Sequence, residues 1–275
     1  MGRSSKMSNT TQITDTHREQ FREEGFCVLK EVIDTETLTM LREECSYFQG
    51  YIDALMDERS ITTMGITHRD KRYFVSNRYH QSRRLRHFLF GKLMADVTRR
   101  LLGNEVYLFN EQWVVKAAEQ GMKFSWHQDS GYVKFRDPAT QHRPYLTCWC
   151  ALDDVDESNG TAYVLPHSRG ETRETIYEHT HEEGTNDLLG YTGSDPGEPV
   201  IAPAGSIATF TSYNLHRSGT NNTNHMRRVY LAQYSGEELR GSDGGLWAMA
   251  VPFLADGKII YSADQDTPTL HQSLL

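Results

Sequence analysis

At 275 residues, the chain is long enough to bury a large core without disulfide or metal staples. Its net charge of -8 argues against a nucleic-acid protein, whose footprint would be basic. Its apolar runs are far too short for a membrane span, and Met1 to Thr16 has no apolar segment like a secretory signal, so no membrane partner and a cytoplasmic location are expected.

Cys27, Cys45, Cys148 and Cys150 make neither a disulfide framework nor paired Cys-x-x-Cys ligands and read as reduced, structural thiols. Residues 1 to 14 are polar and small and are expected to be a disordered leader to a single domain spanning 15 to 275. Thr16-x-x-Glu19 reads as a capping box for a short helix that carries Phe21 inward and stops at Gly25. A strand at 26 to 29 follows. Asp34 then caps a longer helix with Leu38, Leu41, Cys45, Phe48, Ile52 and Leu55 on one face.

From His68 to His87, Arg69, Lys71, Arg72, Arg78, Arg83, Arg84 and Arg86 gather with Tyr73, Phe74, Asn77 and Tyr79. This segment reads first as a solvated surface, with a pocket for an anionic or planar substrate as the alternative. A third helix is predicted over 84 to 102, stopped by Gly103. Thereafter short β-prone runs alternate with turn residues, at 105–117, 145–152, 161–165, 200–201, 206–211 and 229–234. Front-loaded helices and many short strands predict a mainly β sandwich or jelly roll, with the N-terminal helices buttressing one sheet.

The chemistry centres on Phe124-Ser125-Trp126-His127-Gln128-Asp129. On a strand, or a loop leaving one, residues two apart project to the same side, so His127 and Asp129 can close on one ion while Gln128 points away. A second histidine would complete a facial 2-His-1-carboxylate set, which leaves half an octahedron open and suits non-heme Fe(II) oxygen chemistry. His216, after the turn Pro203-Ala204-Gly205 and a strand, is the candidate, and Arg227 lies eleven residues beyond it. His142, His167, His179, His181, His225 and His271 sit in polar or turn-rich contexts and read as surface residues, and Trp113, Trp126 and Trp247 read as core.

A His-x-Asp, a distant His and an Arg eleven residues on, within a β-rich chain, resembles the phytanoyl-CoA dioxygenase family of Fe(II)/2-oxoglutarate oxygenases. The likeness extends through Glu19-Gln20-Phe21 to Gly25-Phe26, Thr147-Cys148-Trp149-Cys150-Ala151-Leu152-Asp153-Asp154, and Asn159-Gly160 to Pro166-His167-Ser168. His167 stands where the family usually has Gly, and Arg169 where it usually has His.

The resemblance implies a double-stranded β-helix (cupin-like jelly roll). It also implies His127, Asp129 and His216 as iron ligands, and Arg227 as partner of the distal carboxylate of 2-oxoglutarate, with Ser218 adding a hydroxyl. Arginine's planar fork suits that role, and Arg228, its neighbour, would project to the opposite face. By strand parity Thr147 and Trp149 share one face, where Trp149 would wall the cosubstrate pocket and Thr147 hydrogen-bond to the cosubstrate. Gln112 and Lys116 resemble family positions that reach toward it. The implied activity uses Fe(II), 2-oxoglutarate and O2 to hydroxylate an unactivated C–H bond of a small metabolite, in secondary metabolism, releasing succinate and CO2.

Desaturation, epoxidation or rearrangement would use the same residues. Readings of another class are a redox-neutral metal enzyme and a non-catalytic binding module. The long stretch from Glu171 to Gly197 reads as a lid.

Overall fold

The computed structural model describes residues 13–266. In chain order these form α1 (Asp15–Glu24), β1 (Phe26–Leu29), α2 (Thr35–Arg59), β2 (Thr63–Met64), β3 (Thr67–His68) and β4 (Arg72–Ser76). Next come α3 (Arg83–Leu89), α4 (Lys92–Leu101), β5 (Val106–Lys116), β6 (Phe124–His127), α5 (Asp129–Arg136), β7 (Leu146–Ala151), β8 (Ala162–Leu165) and α6 (His167–Gly170). The chain continues through β9 (Thr180–His181), β10 (Leu188–Leu189), β11 (Glu198–Pro199), β12 (Ile207–Thr211), β13 (Leu215–Ser218), β14 (Arg227–Ser235), β15 (Val251–Ala255) and β16 (Lys258–Ile259).

Two antiparallel sheets face each other. The larger has the order β1-β12-β7-β14-β5-β4-β3-β2, with β15 on β5 and β16 on β15; the smaller has the order β11-β8-β13-β6. This is the mainly β, jelly-roll architecture expected, and the N-terminal helices α1 to α4 cover the outer face of the larger sheet. Period-2 alternation splits each central strand between two cores. On β14, Tyr230, Ala232 and Tyr234 join the helix-backed core, which contains Phe48 of α2, Leu89 of α3 and Met94 of α4. Val229 and Leu231 face the space between the sheets. On β7, Cys148 and Cys150 take the helix side and Trp149 and Ala151 the inner side, so the parity argument holds. All four cysteines are buried and free.

Several local expectations change. The first helix is capped two residues earlier than Thr16: Thr14 accepts from the His17 amide, and the His17 ring reaches back to the Thr14 amide. The box forms with histidine in the acidic position because an imidazole nitrogen also accepts a hydrogen bond. Of the expected leader, residues 1–12 lie outside the described residues, whereas Ile13 is buried and Thr14 is the cap. The third helix is two, α3 and α4, broken at Phe90-Gly91, where a Cβ on Gly91 would lie 2.4 Å from the His87 carbonyl oxygen. The run expected at 200–201 pairs two residues earlier, as β11 on β8.

Glycines 25 and 50 make opposite predictions. Gly25, with φ 78°, closes α1, and a Cβ there would lie 2.2 Å from His167 Nε2 and 2.3 Å from Asn214 Oδ1. Gly50 sits inside α2 with no atom within 4 Å of such a Cβ. Gly25→Ala is expected to lose about 1–3 kcal/mol in denaturant unfolding, and Gly50→Ala to gain up to about 1 kcal/mol.

Candidate active site

The two histidines meet through sheet register. β6 and β13 pair antiparallel with His127 and His216 directly opposite each other, and their ring centroids lie 4.1 Å apart. Asp129 arrives differently from the expectation. The strand ends at His127, Gln128 is the helix N-cap residue, and Asp129 is the first residue of α5. The carboxylate is therefore aimed by a strand-to-helix turn and not by strand alternation. Gln128 points away and is buried, donating to the carbonyls of Thr175 and Tyr213 and accepting from the Tyr177 amide.

Each ligand is oriented by a second hydrogen bond. His127 Nδ1 lies 2.8 Å from the Ser125 carbonyl and His216 Nδ1 lies 3.1 Å from the Asn214 carbonyl, so each ring donates there and turns the Nε2 lone pair inward. Asp129 Oδ2 accepts from Thr147 Oγ1 at 2.7 Å and Gln233 Nε2 at 2.8 Å. Oδ1 is left to the site, 3.8 Å from His127 Nε2 and 3.6 Å from His216 Nε2. One ligand atom from each residue falls within 4.8 Å of the others, the spacing of donors around a single ion. Burial, and then the neighbouring His216, push the His127 pKa well below its ordinary value, so its ring is a neutral donor at neutral pH. Two imidazoles, a carboxylate and open space on one side fit non-heme Fe(II).

The triad opens on a cavity of about 640 Å³ whose lining includes Arg227, Trp149, Ser218 and Gln112. Arg227 is fully buried, with its guanidinium carbon 5.4 Å from the Trp149 ring centroid. Nη2 donates to the Gly160 carbonyl at 2.9 Å, while Nε and Nη1 are buried without a partner. Burial pushes its pKa down to about 10, so it stays charged. A buried cation with two idle donors is costly unless an anion joins it, and a carboxylate matches that fork. Arg228 projects the other way and pairs with Asp153.

Two expected cosubstrate contacts are directed elsewhere. The Thr147 hydroxyl is taken by Asp129, and the Lys116 ammonium is held by the carbonyls of Met122 and Gly219, its pKa lowered by burial and by Arg227. Gln112 accepts from Ser76 Oγ at 3.0 Å, and Ser218 follows His216 on β13.

The solvated-surface reading of the 68–87 segment holds for Lys71, Arg83 and Arg84, which are exposed, and is overturned for 72–79. Arg72 is fully buried, with Nη1 and Nη2 at 2.9 and 2.6 Å from the two Asp187 oxygens and further bonds to the carbonyls of Ile66 and Lys123. Arg72, Phe74, Ser76 and Arg78 line the cavity. The signal was the aromatic interleaving, which a solvated run does not need. Asp187 lies in the 171–197 stretch, so that stretch is tied to β4 by a buried ion pair, and His181, Asn186 and Leu188 from it line the cavity.

His167 and His179 are buried, not surface residues: His167 Nδ1 bonds Thr172 Oγ1, and His179 Nε2 accepts from the Gln128 amide. His271 lies outside the described residues. Trp113 is core, but Trp126 and Trp247 are half-buried, and Trp247 lines the cavity. Sequence reasoning missed Gln233, which fixes Asp129 from β14, and Glu111, whose buried carboxylate accepts from the amides of Arg78 and Tyr79 and from Tyr230 Oη.

Comparison with known proteins agrees with this centre. The family model described as phytanoyl-CoA dioxygenase (PhyH) matches residues 21–229. The chain belongs to this family. Methylphosphonate hydroxylase of Gimesia maris is 26% identical over 232 residues, covering 82% of each chain. Ectoine dioxygenase of Sphingopyxis alaskensis is 24% identical over 232 residues, covering 80% of this chain and 74% of its own. Among solved structures, EctD from S. alaskensis with 2-oxoglutarate and 5-hydroxyectoine superposes with a TM-score of 0.65 at 21% identity, covering 90% of this chain and 86% of EctD. EvdO2 from Micromonospora carbonacea var. aurantiaca complexed with 2-oxoglutarate gives 0.61 at 22% identity, covering 83% and 93%. The phytanoyl-CoA dioxygenase family member described here is a 2-oxoglutarate-dependent non-heme iron dioxygenase, and its cofactors are Fe(II), 2-oxoglutarate and O2.

The walls of this site carry two predictions. Asp187→Asn leaves Arg72 buried without its counter-ion and is expected to cost about 3–5 kcal/mol in chemical denaturation. Burial raises the Glu111 carboxyl from its ordinary 4.5 to about 7. Between these values the unfolded chain has released a proton that the fold retains, so this group's contribution to stability falls as pH rises from about 4.5 to about 7. Unfolding of Glu111→Gln across that window is expected to show a flatter pH dependence than wild type.

Proposed function

We propose that this dioxygenase hydroxylates an unactivated C–H bond of a small metabolite, with conversion of 2-oxoglutarate to succinate and CO2. In this reading His127, Asp129 and His216 hold the metal, and Arg227 anchors the distal carboxylate of 2-oxoglutarate. The observation that carries it is the Arg227 guanidinium, buried in the same cavity as the triad with two donors unused. A redox-neutral metal enzyme would leave that guanidinium without a ligand. A binding module would not need a carboxylate oxygen held free beside two inward imidazoles.

Iron bound at the triad supplies activation of O2 and an oxidant strong enough to remove hydrogen from carbon. The chain's own residues do the rest. Ser125 and Asn214 carbonyls fix the imidazole tautomers, and Thr147 and Gln233 hold Asp129 in one rotamer. Trp149 walls the side of Arg227, and Ser218 and Gln112 offer polar contacts to the cosubstrate. Lys116 acts at one remove, holding the loop that follows β5. A cytoplasmic location and a place in secondary metabolism belong to the same reading; a cavity of about 640 Å³ suits a small metabolite, and the relatives' names include hydroxylases of compact molecules.

The test is succinate formation from 2-oxoglutarate with and without added Fe(II). Wild type is expected to form succinate only with iron. Arg227→Lys keeps the charge but loses the fork, and is expected to raise the KM for 2-oxoglutarate by about tenfold or more. Asp129→Ala is expected to abolish iron-dependent turnover. Iron-independent succinate formation, or an Arg227→Lys variant with unchanged KM, would contradict the assignment.

A further inference from the structure

The cavity is far more cationic than the protein that contains it. Among the described residues, its lining holds six arginine or lysine side chains and a single carboxylate, Asp129, in a chain of net charge -8. Four of the cations are accounted for: Arg72 by Asp187, Lys116 by two carbonyls, Arg227 by the cosubstrate reading, and Arg217 by the Pro196 carbonyl and the Tyr163 and Trp126 rings. That leaves Arg78 and Arg136. Arg136 is exposed and lies over Trp247. Arg78 is partly buried, its Nε has no partner, and among the described residues its guanidinium forms neither hydrogen bond nor ion pair. It rests on the Tyr51 ring at 5.2 Å.

The mount of Arg78 is rigid. Asn77 before it adopts φ 58°, a left-handed conformation that costs a non-glycine residue energy and persists only where the surroundings enforce it. The enforcement is visible: the Asn77 amide donates to the Glu111 carbonyl, and the Arg78 and Tyr79 amides donate to the Glu111 carboxylate. Glu111 thus fixes the main chain at Arg78, a residue that lines the cavity, and leaves its guanidinium without a hydrogen-bond partner among the described residues.

Register separates this cation from the one assigned to 2-oxoglutarate. Arg227 and Arg72 flank Lys116 on its two sides, whereas Ser76 lies opposite Gln112. The Arg72-to-Ser76 ladder alone spans about 13 Å, and Arg78 lies two residues farther on. At Arg78's end of the ladder Asn110 pairs with Gln233, which holds Asp129, so this end of the cavity also adjoins the triad.

We propose that the primary substrate carries a compact anionic group, a carboxylate or a phosphonate, and that Arg78 is the residue that binds it. The inference rests on the 2-oxoglutarate reading of the preceding subsection, because it needs Arg227 to be occupied by the cosubstrate. The anion meets the partly buried planar fork at Arg78, and Arg136 at the exposed rim attracts the anion on entry. The substrate carbon near that anionic group then faces the triad.

The experiment uses the full chain, anaerobic and saturated with Fe(II) and 2-oxoglutarate, titrated calorimetrically with alkyl phosphonates and alkyl carboxylates of one to six carbons. Each anion is paired with its neutral sulfone or amide isostere. At least one anion is expected to bind about tenfold or more tighter than its isostere, and the phosphonate and carboxylate arms identify which group is read. Arg78→Gln is expected to remove that preference and Arg78→Lys to retain part of it, with 2-oxoglutarate affinity in both variants reporting that the site is assembled. No anion binding in preference to its isostere, or an equal preference in Arg78→Gln, overturns the proposal. Wild type that fails to bind 2-oxoglutarate overturns the cosubstrate reading beneath it, and this inference with it.

Discussion

The antiparallel pairing of β6 with β13 is the constraint on which the centre depends. It sets His127 opposite His216, residues 89 positions apart in the chain, so the two imidazoles need no loop to be brought together. A slip of one residue would turn each ring to the other face of the smaller sheet. The register is held by β8 on the far side of β13, where Val164 lies opposite His216. It is also held by the turn after β12, where Asn214 donates to the carbonyls of Glu24 and Leu165. The carboxylate ligand is set by a separate device, a helix start whose first residue is clamped by Thr147 and Gln233 from the opposing sheet. The site therefore exists only when both sheets are in place.

A cavity with this many buried polar groups is expensive, and the fold offsets that cost in identifiable ways. Arg72 and Asp187 neutralise each other, Lys116 is surrounded by carbonyls, and Gln128 satisfies three main-chain groups at once. The exception is Arg227, whose two unpartnered nitrogens store a desolvation cost that a bound carboxylate relieves. In the proposed reading, cosubstrate binding is thereby coupled to the electrostatics of that wall, which Trp149 shares with Arg227.

Much of this was legible in the sequence. The triad, Arg227 and the opposite projection of Arg228 follow from the residues, their parity and the family resemblance, because a strand's period of two is rigid. The jelly roll was legible for the same reason. What was not legible depended on partners far away in sequence. Arg72 looked like a solvated cation because nothing near it announces Asp187, 115 residues on. Parity for Thr147 and family resemblance for Lys116 give the face or position a residue occupies and not the acceptor it finds there. The break at Gly91 was hidden because the apolar spacing continues across it, and only the crowding against His87 shows why the helix stops. Asp129 reaches the two histidines by a strand-to-helix turn and not by strand alternation, which the sequence hides because the helix that begins at it has no strong start signal in Gln128.

X-ray absorption at the iron edge of the Fe(II)-loaded protein, compared with a His216→Ala variant, tests the central claim most directly. The account predicts one iron per chain in an oxygen and nitrogen environment with the outer scattering of two imidazole rings, falling to one ring in the variant. A sulfur scatterer, or an iron environment unchanged by His216→Ala, would contradict it.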